Sequence, residues 1–321
     1  MNTHILGIDE ITYGANDLAR CKRFFTDWGL TLKQETGARL VFETLNTCRV
    51  IVSAENASGL PEPIEAGPTL REAVWGVATQ AGLDRLAANL AGMPGFYRHP
   101  QRLGCLDPNG AAVGFQLTRK IEVELECAAM NTWAAKPRLN QAAPIYDRAV
   151  PIEVGHVVFF VKDLAATERF YTESCGFVVS DRYPQRGTFL RCNAQGGHHD
   201  LFLLQLPQAR AGLNHVAFTV RDIHEVFGGG MHMARCGWDT QLGPGRHPIS
   251  SAYFWYFNNP AGGLIEYYAD EDQLDESWLE RTFEPGPTLF AEWAIDGGLD
   301  GHSRRQKNIA ASGTFLTEKQ R

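Results

Sequence analysis

Hydrophobic and polar positions follow the same order twice along the chain. Residues 5–30 read ILGIDEITYGANDLARCKRFFTDWGL, and residues 154–177 read VGHVVFFVKDLAATERFYTESCGF. Each segment opens with a short apolar run, turns at Asp-Leu into a stretch with helical spacing of apolar residues, and ends at a glycine before another apolar run. The pattern predicts a strand, a helix and a second strand, in that order, in both halves of the chain.

Two further pairs of segments extend the repeat. Residues 74–86 and 214–226 each predict a strand that runs into a helix, although their match is weaker. Residues 106–115 and 257–267 each place a turn with Pro and Gly before an apolar strand. Such an internal duplication is the strongest organisational signal in a sequence. Each half of the chain therefore contains two copies of a unit made of one helix and several strands.

The boundary between the halves is marked by prolines. Pro137, Pro144 and Pro151 interrupt a polar, irregular stretch, and the sequence after residue 270 is charged and then rich in glycine. The sequence predicts an N-terminal domain over 1–120, a linker over 121–150, a C-terminal domain over 151–275 and a tail over 276–321.

Composition narrows the possible partners. The 321 residues are 44% hydrophobic and carry a net charge of −7, with 30 basic residues scattered among 37 acidic ones. This distribution lacks the basic stripe that nucleic acid requires. We see neither a secretory leader nor an apolar run of about 18 residues, and the seven dispersed cysteines form no C-x-x-C pair. We therefore expect a cytoplasmic protein with reduced thiols and no membrane or nucleic-acid partner.

Three residues in the second half form a candidate metal site. His156 and His215 occupy equivalent places in two apolar strands, and Glu266 lies within the apolar run 264–268. A buried carboxylate costs several kcal/mol unless it is paired, and a metal ion would supply the compensating charge. Two imidazoles and one carboxylate form the facial triad of non-haem ferrous sites, which leaves three positions open.

A core role for the two histidines is the plainer interpretation, and the duplication argues against it. When the two halves are aligned on their turns, His156 matches Glu10, His215 matches Trp75, and Glu266 matches Gly114. The first half thus keeps the strands and lacks the ligand set. The fold itself therefore does not require these residue types.

One motif in the second half is specific to a family. Residues 243–266 read GPGRHPISSAYFWYFNNPAGGLIE. The stretch resembles the signature of type I extradiol dioxygenases in the vicinal oxygen chelate superfamily, which here comprises Gly245, His247, Tyr256, Asn259, Pro260, Gly262 and Glu266. Trp255 departs from the pattern, because the family usually has an aliphatic residue or Phe there. The resemblance covers about residues 5–270, and its motifs are strong only in the second half.

The resemblance implies a fold and an activity. The fold would be α+β, with two tandem domains, each of two βαβββ modules forming an open barrel around a cavity. The activity would be ring cleavage of a catechol-type aromatic diol with O2, on a ring that can be substituted or trihydroxylated, and family members usually form homo-oligomers.

The resemblance also assigns roles to individual residues. His156, His215 and Glu266 would bind Fe(II), with Mn(II) as the alternative ion. His199, the second residue of a His-His pair, would be the catalytic acid and base, and His247 and Tyr256 would donate hydrogen bonds to the substrate. Asp200 is a candidate for orienting a histidine.

Three other functions stay open. A glyoxalase-like isomerase or lyase would use the same scaffold, but such sites usually have a fourth protein ligand, for which the first half offers only Glu10. A non-enzymatic protein that binds an aromatic ligand would need no metal, so a complete triad in one half argues against it. A related oxygenase that decarboxylates a keto acid would share the ligands, and the sequence contains no evident keto-acid motif.

Overall fold

The chain folds into two large mixed sheets with few helices, as the α+β class predicts. The structure is a computed structural model that describes residues 4–284 and 290–296. The first sheet has eight strands in the order β2-β3-β4-β1-β5-β8-β7-β6. Its elements are β1 (Ile5–Ala15), α1 (Leu18–Asp27), β2 (Thr31–Thr36), β3 (Arg39–Glu43), β4 (Arg49–Ala54), β5 (Thr69–Val77), α2 (Gln80–Leu90), β6 (Tyr97–His99), β7 (Arg102–Leu106) and β8 (Ala112–Leu117).

The second sheet has ten strands in the order β19-β10-β11-β13-β9-β14-β17-β16-β15-β20, and β12 pairs with β18 beside it. Its elements are β9 (Glu153–Phe160), α3 (Leu164–Arg169), a π-helical turn (Phe170–Cys175), β10 (Val178–Tyr183), β11 (Gly187–Arg191), β12 (Gly196–Gly197), β13 (Leu201–Leu204), β14 (Gly212–Thr219), α4 (Ile223–Arg235), β15 (Thr240–Arg246), β16 (Tyr253–Asn258), β17 (Leu264–Ala269), β18 (Gln273–Leu274), β19 (Arg281–Thr282) and β20 (Trp293–Asp296).

The repeated aspartate before a helix acts as a helix cap. The side chains of Asp17, Asp163 and Asp222 each accept a hydrogen bond from the backbone N–H three residues later, at the starts of α1, α3 and α4. Thr79 does the same for α2. A capping side chain satisfies one of the free N–H groups of the first helical turn, typically at a gain of about 1 kcal/mol. The strand-to-helix turn therefore has a local cause in each unit.

Strand pairing confirms the duplication and corrects one of the matches drawn from it. In the first sheet a row of paired residues runs Glu10–Val74–Gly114, and in the second a row runs His156–Ala217–Glu266. Because His215 precedes Ala217 by two residues, its counterpart is Glu72, two residues before Val74. The match of His215 to Trp75 was therefore wrong. The pairing of β1 with β5 and that of β9 with β14 each contain register shifts, which an alignment on turns does not detect.

The two sheets are joined through aromatic packing. Trp28, directly after α1, stacks on Tyr267 of β17 with ring centroids 3.5 Å apart and planes at 7°. The Tyr267 hydroxyl donates a 2.7 Å hydrogen bond to the carbonyl oxygen of Trp28. Both residues are fully buried. The first sheet thus supports the strand that carries Glu266.

The segment between the sheets is irregular and exposed. Residues 121–150 contain no helix or strand, and the side chains of Trp133, Leu139 and Ile145 are between 82% and 93% exposed. Part of the predicted tail joins the second sheet, because β19 and β20 lie beyond residue 275. The domain limits themselves remain predictions. Among the described residues, no helix combines the length and the apolar character that a membrane crossing needs.

Candidate active site

Three adjacent strands bring the predicted ligands together. His156 lies on β9, His215 on β14 and Glu266 on β17, and all three point to the same side of the sheet. His156 Nε2 lies 3.2 Å from His215 Nε2 and 3.1 Å from Glu266 Oε2, and His215 Nε2 lies 3.2 Å from the same oxygen. The three atoms form a nearly equilateral triangle. Residues 59 and 51 positions apart in sequence thus meet at one point.

The shape of this triangle fits a metal ion. Three donor atoms this close together could all bind one ion at the usual ligand distance of about 2.1 Å. Two imidazoles and one carboxylate are the donor set of sites that leave further coordination positions open.

The charge states also fit a metal. Burial lowers the pKa of His156 to about 4, and the neighbouring His199 adds to the effect, so the His156 imidazole is neutral. Burial alone would raise the pKa of Glu266, but its contacts with the imidazoles of His156, His215 and His247 hold it well below its usual range. Metal binding requires neutral imidazoles and an ionised carboxylate.

Two further observations support the fit. Glu266 is 1% exposed, yet its Oε1 has no hydrogen-bond partner among the described residues. A buried carboxylate oxygen without a partner is costly, and a cation would remove that cost. His215 Nδ1 lies 2.7 Å from Asn214 Oδ1, an arrangement that places its proton on Nδ1 and leaves Nε2 free as a ligand.

The triad faces a narrow cavity with mainly apolar walls. The side chains that complete these walls include Val158, Tyr183, Phe189, Phe202, Ile249 and Phe290. Phe189 and Phe202 stack with centroids 3.9 Å apart and planes at 5°. Flat aromatic faces and apolar edges favour a planar ring as the occupant.

His199 lines this cavity, and its neighbour His198 does not. The His199 ring centroid lies 4.2 Å from that of His156. Its Nδ1 lies 3.2 Å from both His198 Nδ1 and Glu271 Oε1. Burial, together with the neighbouring His198 imidazole, lowers the pKa of His199 well below its usual value. The ring is therefore neutral and can accept a proton.

His247 and Tyr256 form a second polar group in the cavity. His247 Nδ1 lies 2.6 Å from the carbonyl oxygen of Phe290, which can only accept, so this nitrogen carries a proton. Its Nε2 lies 3.0 Å from the Tyr256 hydroxyl and 3.5 Å from Glu266 Oε1. Burial and the charge of Glu266 raise the pKa of Tyr256 well above its usual value, so the phenol keeps its proton.

Comparison with known proteins places the second half of the chain in a family. Residues 153–267 match the model of the Glyoxalase/Bleomycin resistance protein/Dioxygenase superfamily. This part of the chain belongs to that superfamily. All three residues of the triad lie within the matched range, as do His199, His247 and Tyr256.

Individual relatives of the superfamily segment agree with this placement. The chain is 31% identical over 151 residues to metapyrocatechase 2 of Cupriavidus necator, a match that spans 46% of each protein. It is 30% identical over 118 residues to 2,2',3-trihydroxybiphenyl dioxygenase of Sphingomonas paucimobilis, spanning 35% of this chain and 40% of that one. The chain thus spans less than half the length of the curated relatives it matches.

One solved structure shows that the fold extends beyond the superfamily segment. The crystal structure of the Mn(II)-bound glyoxalase from Novosphingobium aromaticivorans superposes with a TM-score of 0.72 over 92% of this chain and 93% of that one. Its sequence is 22% identical. Both halves of the chain therefore share an architecture with a solved protein.

Several residues of the site within or just after the superfamily segment were not found from the sequence. Glu271 contacts His199, although it occurs in an acidic run, Asp270–Asp272, that reads as solvated surface. Burial raises the pKa of Glu271 to about 7. Phe290 reaches the cavity from far beyond the strands. Asp181 was missed as well, because it stands between the polar residues Ser180 and Arg182 of β10.

Two expectations about neighbouring residues take a different form in the structure. The Asp200 carboxylate accepts a 2.8 Å hydrogen bond from the backbone N–H of Cys192, and Glu271 takes the place beside His199. Trp255 faces away from the cavity, because successive residues of a strand alternate. Its indole donates to Thr240 Oγ1 at 3.0 Å, and its ring packs on Gly230 of α4. The departure at Trp255 therefore leaves the cavity wall unchanged.

Proposed function

We propose that this protein is an extradiol dioxygenase, which cleaves the ring of a catechol-type aromatic diol with O2. The observation that carries the proposal is the triangle of His156, His215 and Glu266 at the wall of an aromatic cavity that also contains His199, His247 and Tyr256. The names of the two curated relatives support the same reaction type. The proposal includes rings that are substituted or trihydroxylated, and a panel of such substrates tests this part of it.

We propose His156, His215 and Glu266 as the ligands of Fe(II), with Mn(II) as the alternative. A ferrous ion bound there would supply a redox-active Lewis acid with open positions for both a bidentate diol and O2. The protein contributes the ionised Glu266 and the imidazoles of His156 and His215. The Asn214 contact keeps His215 oriented for this purpose.

His199 would act as the acid and base. Its neutral ring can accept a proton from a diol hydroxyl and return it at a later step of ring opening. Because the ring is buried beside the triad, the transfer would take place away from bulk water. Its Nδ1 is held by His198 and Glu271, so Nε2 is the nitrogen available for the transfer.

His247 and Tyr256 would position oxygen atoms of the substrate. Tyr256 keeps its proton and can donate it either to His247 or to an oxygen in the cavity. A preorganised donor of this kind commonly contributes a few kcal/mol when charge develops on its partner. The stacked Phe189 and Phe202 would hold the ring plane and exclude water.

The decisive experiment is anaerobic reconstitution of the full chain with ferrous ion, followed by oxygen uptake and absorbance measurements. Catechol, substituted catechols and trihydroxybenzenes form the substrate panel, and His215→Ala is the test variant. The matched control is His99→Ala, since His99 is exposed on β6. We expect uptake with a yellow ring-opened product in the wild type and control, and at least a 100-fold loss in His215→Ala.

Tight metal binding without oxygen uptake on any diol would refute the proposal and leave the glyoxalase-like isomerase as the better hypothesis. Reconstitution with manganese in parallel decides between the two ions.

We further propose that the protein works as a homo-oligomer in the cytoplasm. All seven cysteines are free thiols, as a reducing compartment favours. The exposed Trp133, Leu139 and Ile145 on the irregular segment offer an apolar surface for a second copy. Light scattering of the wild type and of a Trp133→Ser/Ile145→Ser variant tests the assembly: we expect a multimer that the double change weakens, and a monomeric wild type would contradict it.

A further inference from the structure

A chain of buried polar groups leads away from the active-site cavity behind His199. His199 Nδ1 lies 3.2 Å from His198 Nδ1, and His198 Nε2 lies 2.7 Å from Asp181 Oδ2. The side chains of His198 and Asp181 are completely buried. Asp181 lies on β10, and its partner strand β19 carries Arg281 to the same point. The polar groups thus contact one another in the order His199, His198, Asp181 and Arg281.

Arg281 fixes the charge of Asp181. The backbone N–H of Arg281 donates to Asp181 Oδ1 at 2.8 Å, and its guanidinium donates to Oδ2 at 2.6 Å. A carboxylate that accepts several N–H groups is held in its ionised form. The guanidinium is also held by the carbonyl oxygen of Ile249 at 2.6 Å. Asp181 is therefore an acceptor only.

The fixed charge of Asp181 determines where the protons lie on His198 and His199. Because Asp181 only accepts, His198 must carry a proton on Nε2. The Arg281 guanidinium already balances the charge of Asp181, so a second cation on the completely buried His198 would be uncompensated. His198 therefore keeps a lone pair on Nδ1, which faces His199 Nδ1. His199 must therefore donate from Nδ1, and the carboxylate of Glu271 at 3.2 Å favours the same arrangement. The remaining nitrogen of His199, Nε2, is left without a proton and able to accept one.

We propose that Asp181, acting through His198 and held by Arg281, is a positioning residue that fixes His199 in the tautomer with a bare Nε2. This inference rests on the proposed function of His199. An aspartate that sets a histidine tautomer by a direct contact is well established in hydrolases. Here the carboxylate acts from one histidine further away, and it is anchored by a strand beyond the predicted limit of the catalytic domain.

The test is a double-mutant cycle on the iron-loaded full chain. The variants are Asp181→Asn, His198→Phe and the double variant. In Asp181→Asn, an amide nitrogen facing His198 Nε2 would reverse the proton order along the chain. We expect kcat to fall about 10–100-fold in each single variant, with little change in KM for catechol and unchanged iron content. The double variant should lose no more than His198→Phe alone, because Asp181 acts through that residue.

Arg182→Gln is the matched control. Arg182 is the next residue on β10 and forms ion pairs with Glu168 and Glu280, so it contributes to the same strand contacts without reaching His198. It should retain wild-type kcat. His198→Phe keeps the ring shape and the Asp181–Arg281 pair, and it carries the test by itself if Asp181→Asn does not fold.

A second readout does not depend on turnover. In the ¹⁵N-histidine-labelled full chain with diamagnetic Zn(II), NMR distinguishes the two tautomers of His199, whose signals are assigned by comparison with His199→Gln. We expect the proton on Nδ1 in the wild type and on Nε2 in Asp181→Asn. Unchanged His199 signals, unchanged kcat, or losses that multiply in the double variant would each overturn the inference. A wild type that consumes no oxygen would instead refute the proposed function.

Discussion

Three carboxylates lie around the His198–His199 pair, and their partners decide their charge. Asp181 is fully buried, whereas Asp200 and Glu271 are partly exposed. Burial raises the pKa of each one, but hydrogen bonds from His198 and Arg281 bring that of Asp181 below its usual value. Glu271 has no cationic partner of this kind within residues 4–284 and 290–296, and burial raises its pKa to about 7. Asp200 lies between these cases, with a pKa raised to about 6. One small region thus contains a fixed anion and two acids that can be neutral.

Asp200 provides a pH-dependent stability prediction. Its folded-state pKa of about 6 exceeds the unfolded value of 3.8, so the protonated form is favoured by folding. The stabilisation of the fold by protonated Asp200 is fully present below pH 3.8 and is lost as the pH rises through about 6. We expect Asp200→Asn to gain about 2 kcal/mol in unfolding free energy relative to wild type over this window, less than the full effect because Asp200 is partly exposed.

Urea unfolding at pH 4.5 and 7.5 measures this change. The control is Asp84→Asn, because Asp84 is exposed on α2 and should give the same small difference at both pH values. A stability difference between wild type and Asp200→Asn that does not vary with pH would contradict the prediction.

The triad residues could be predicted from sequence because an apolar strand makes a polar residue conspicuous. His156 and Glu266 were visible for that reason, and the repeat showed that the strands did not need them. Glu271, Arg281 and Phe290 could not be found in this way. They lie in polar or irregular sequence, and only the pairing of short strands after residue 270 brings them to the site.

At the scale of elements, the same row of strand positions carries different electrostatics in the two sheets. In the second sheet the row supplies two imidazoles and one carboxylate whose Oε1 accepts no hydrogen bond from the described part of the chain. In the first sheet Glu10 and Glu72 are bridged by Arg102, whose Nη1 and Nη2 lie 2.9 and 2.6 Å from them. A side-chain cation thus neutralises the carboxylates there. The sequence alignment missed this pair, because it assigned Trp75 rather than Glu72 to the place of His215.

The contact between α4 and β16 predicts that a change from glycine to alanine within a helix lowers the stability of the protein. Gly230 lies inside α4, where replacement of glycine by alanine normally stabilises a helix by up to about 1 kcal/mol. A Cβ at this position would overlap the ring of Trp255 on β16. We therefore expect Gly230→Ala to lower the unfolding free energy by about 1–3 kcal/mol.

Thermal and urea unfolding measure the effect of Gly230→Ala. Gly92, after α2, has open space around its Cβ position, so Gly92→Ala should be nearly neutral. The smaller side chain in Trp255→Leu should relieve the overlap, and the combined variant should recover part of the loss. A stabilised Gly230→Ala would show that α4 and β16 do not pack closely at this position.

At the scale of the whole molecule, the first sheet supports the site without contributing a ligand to the triad. Trp28 stacks on Tyr267, the residue after Glu266, and also contacts the rings of Phe218 and Phe257 edge to face. Phe24 packs against Trp238 across the same boundary. The duplication therefore gives one unit that carries the chemistry and another that packs behind its central strands.

Trp28→Ala tests this coupling. Removing a fully buried tryptophan should cost about 3–5 kcal/mol of unfolding free energy, since it leaves a cavity beside Tyr267. Glu266 would lose the support of its neighbour, so we expect the affinity for ferrous ion to fall about 10-fold even under conditions where the variant is folded. His99→Ala is the control, because His99 is exposed on β6 and should change neither quantity. Metal titration followed by urea unfolding separates the two effects. An unaltered affinity in a folded but destabilised Trp28→Ala would mean that β17 holds Glu266 without help from the first sheet. A joint loss would show that metal binding and the interface between the sheets are thermodynamically linked.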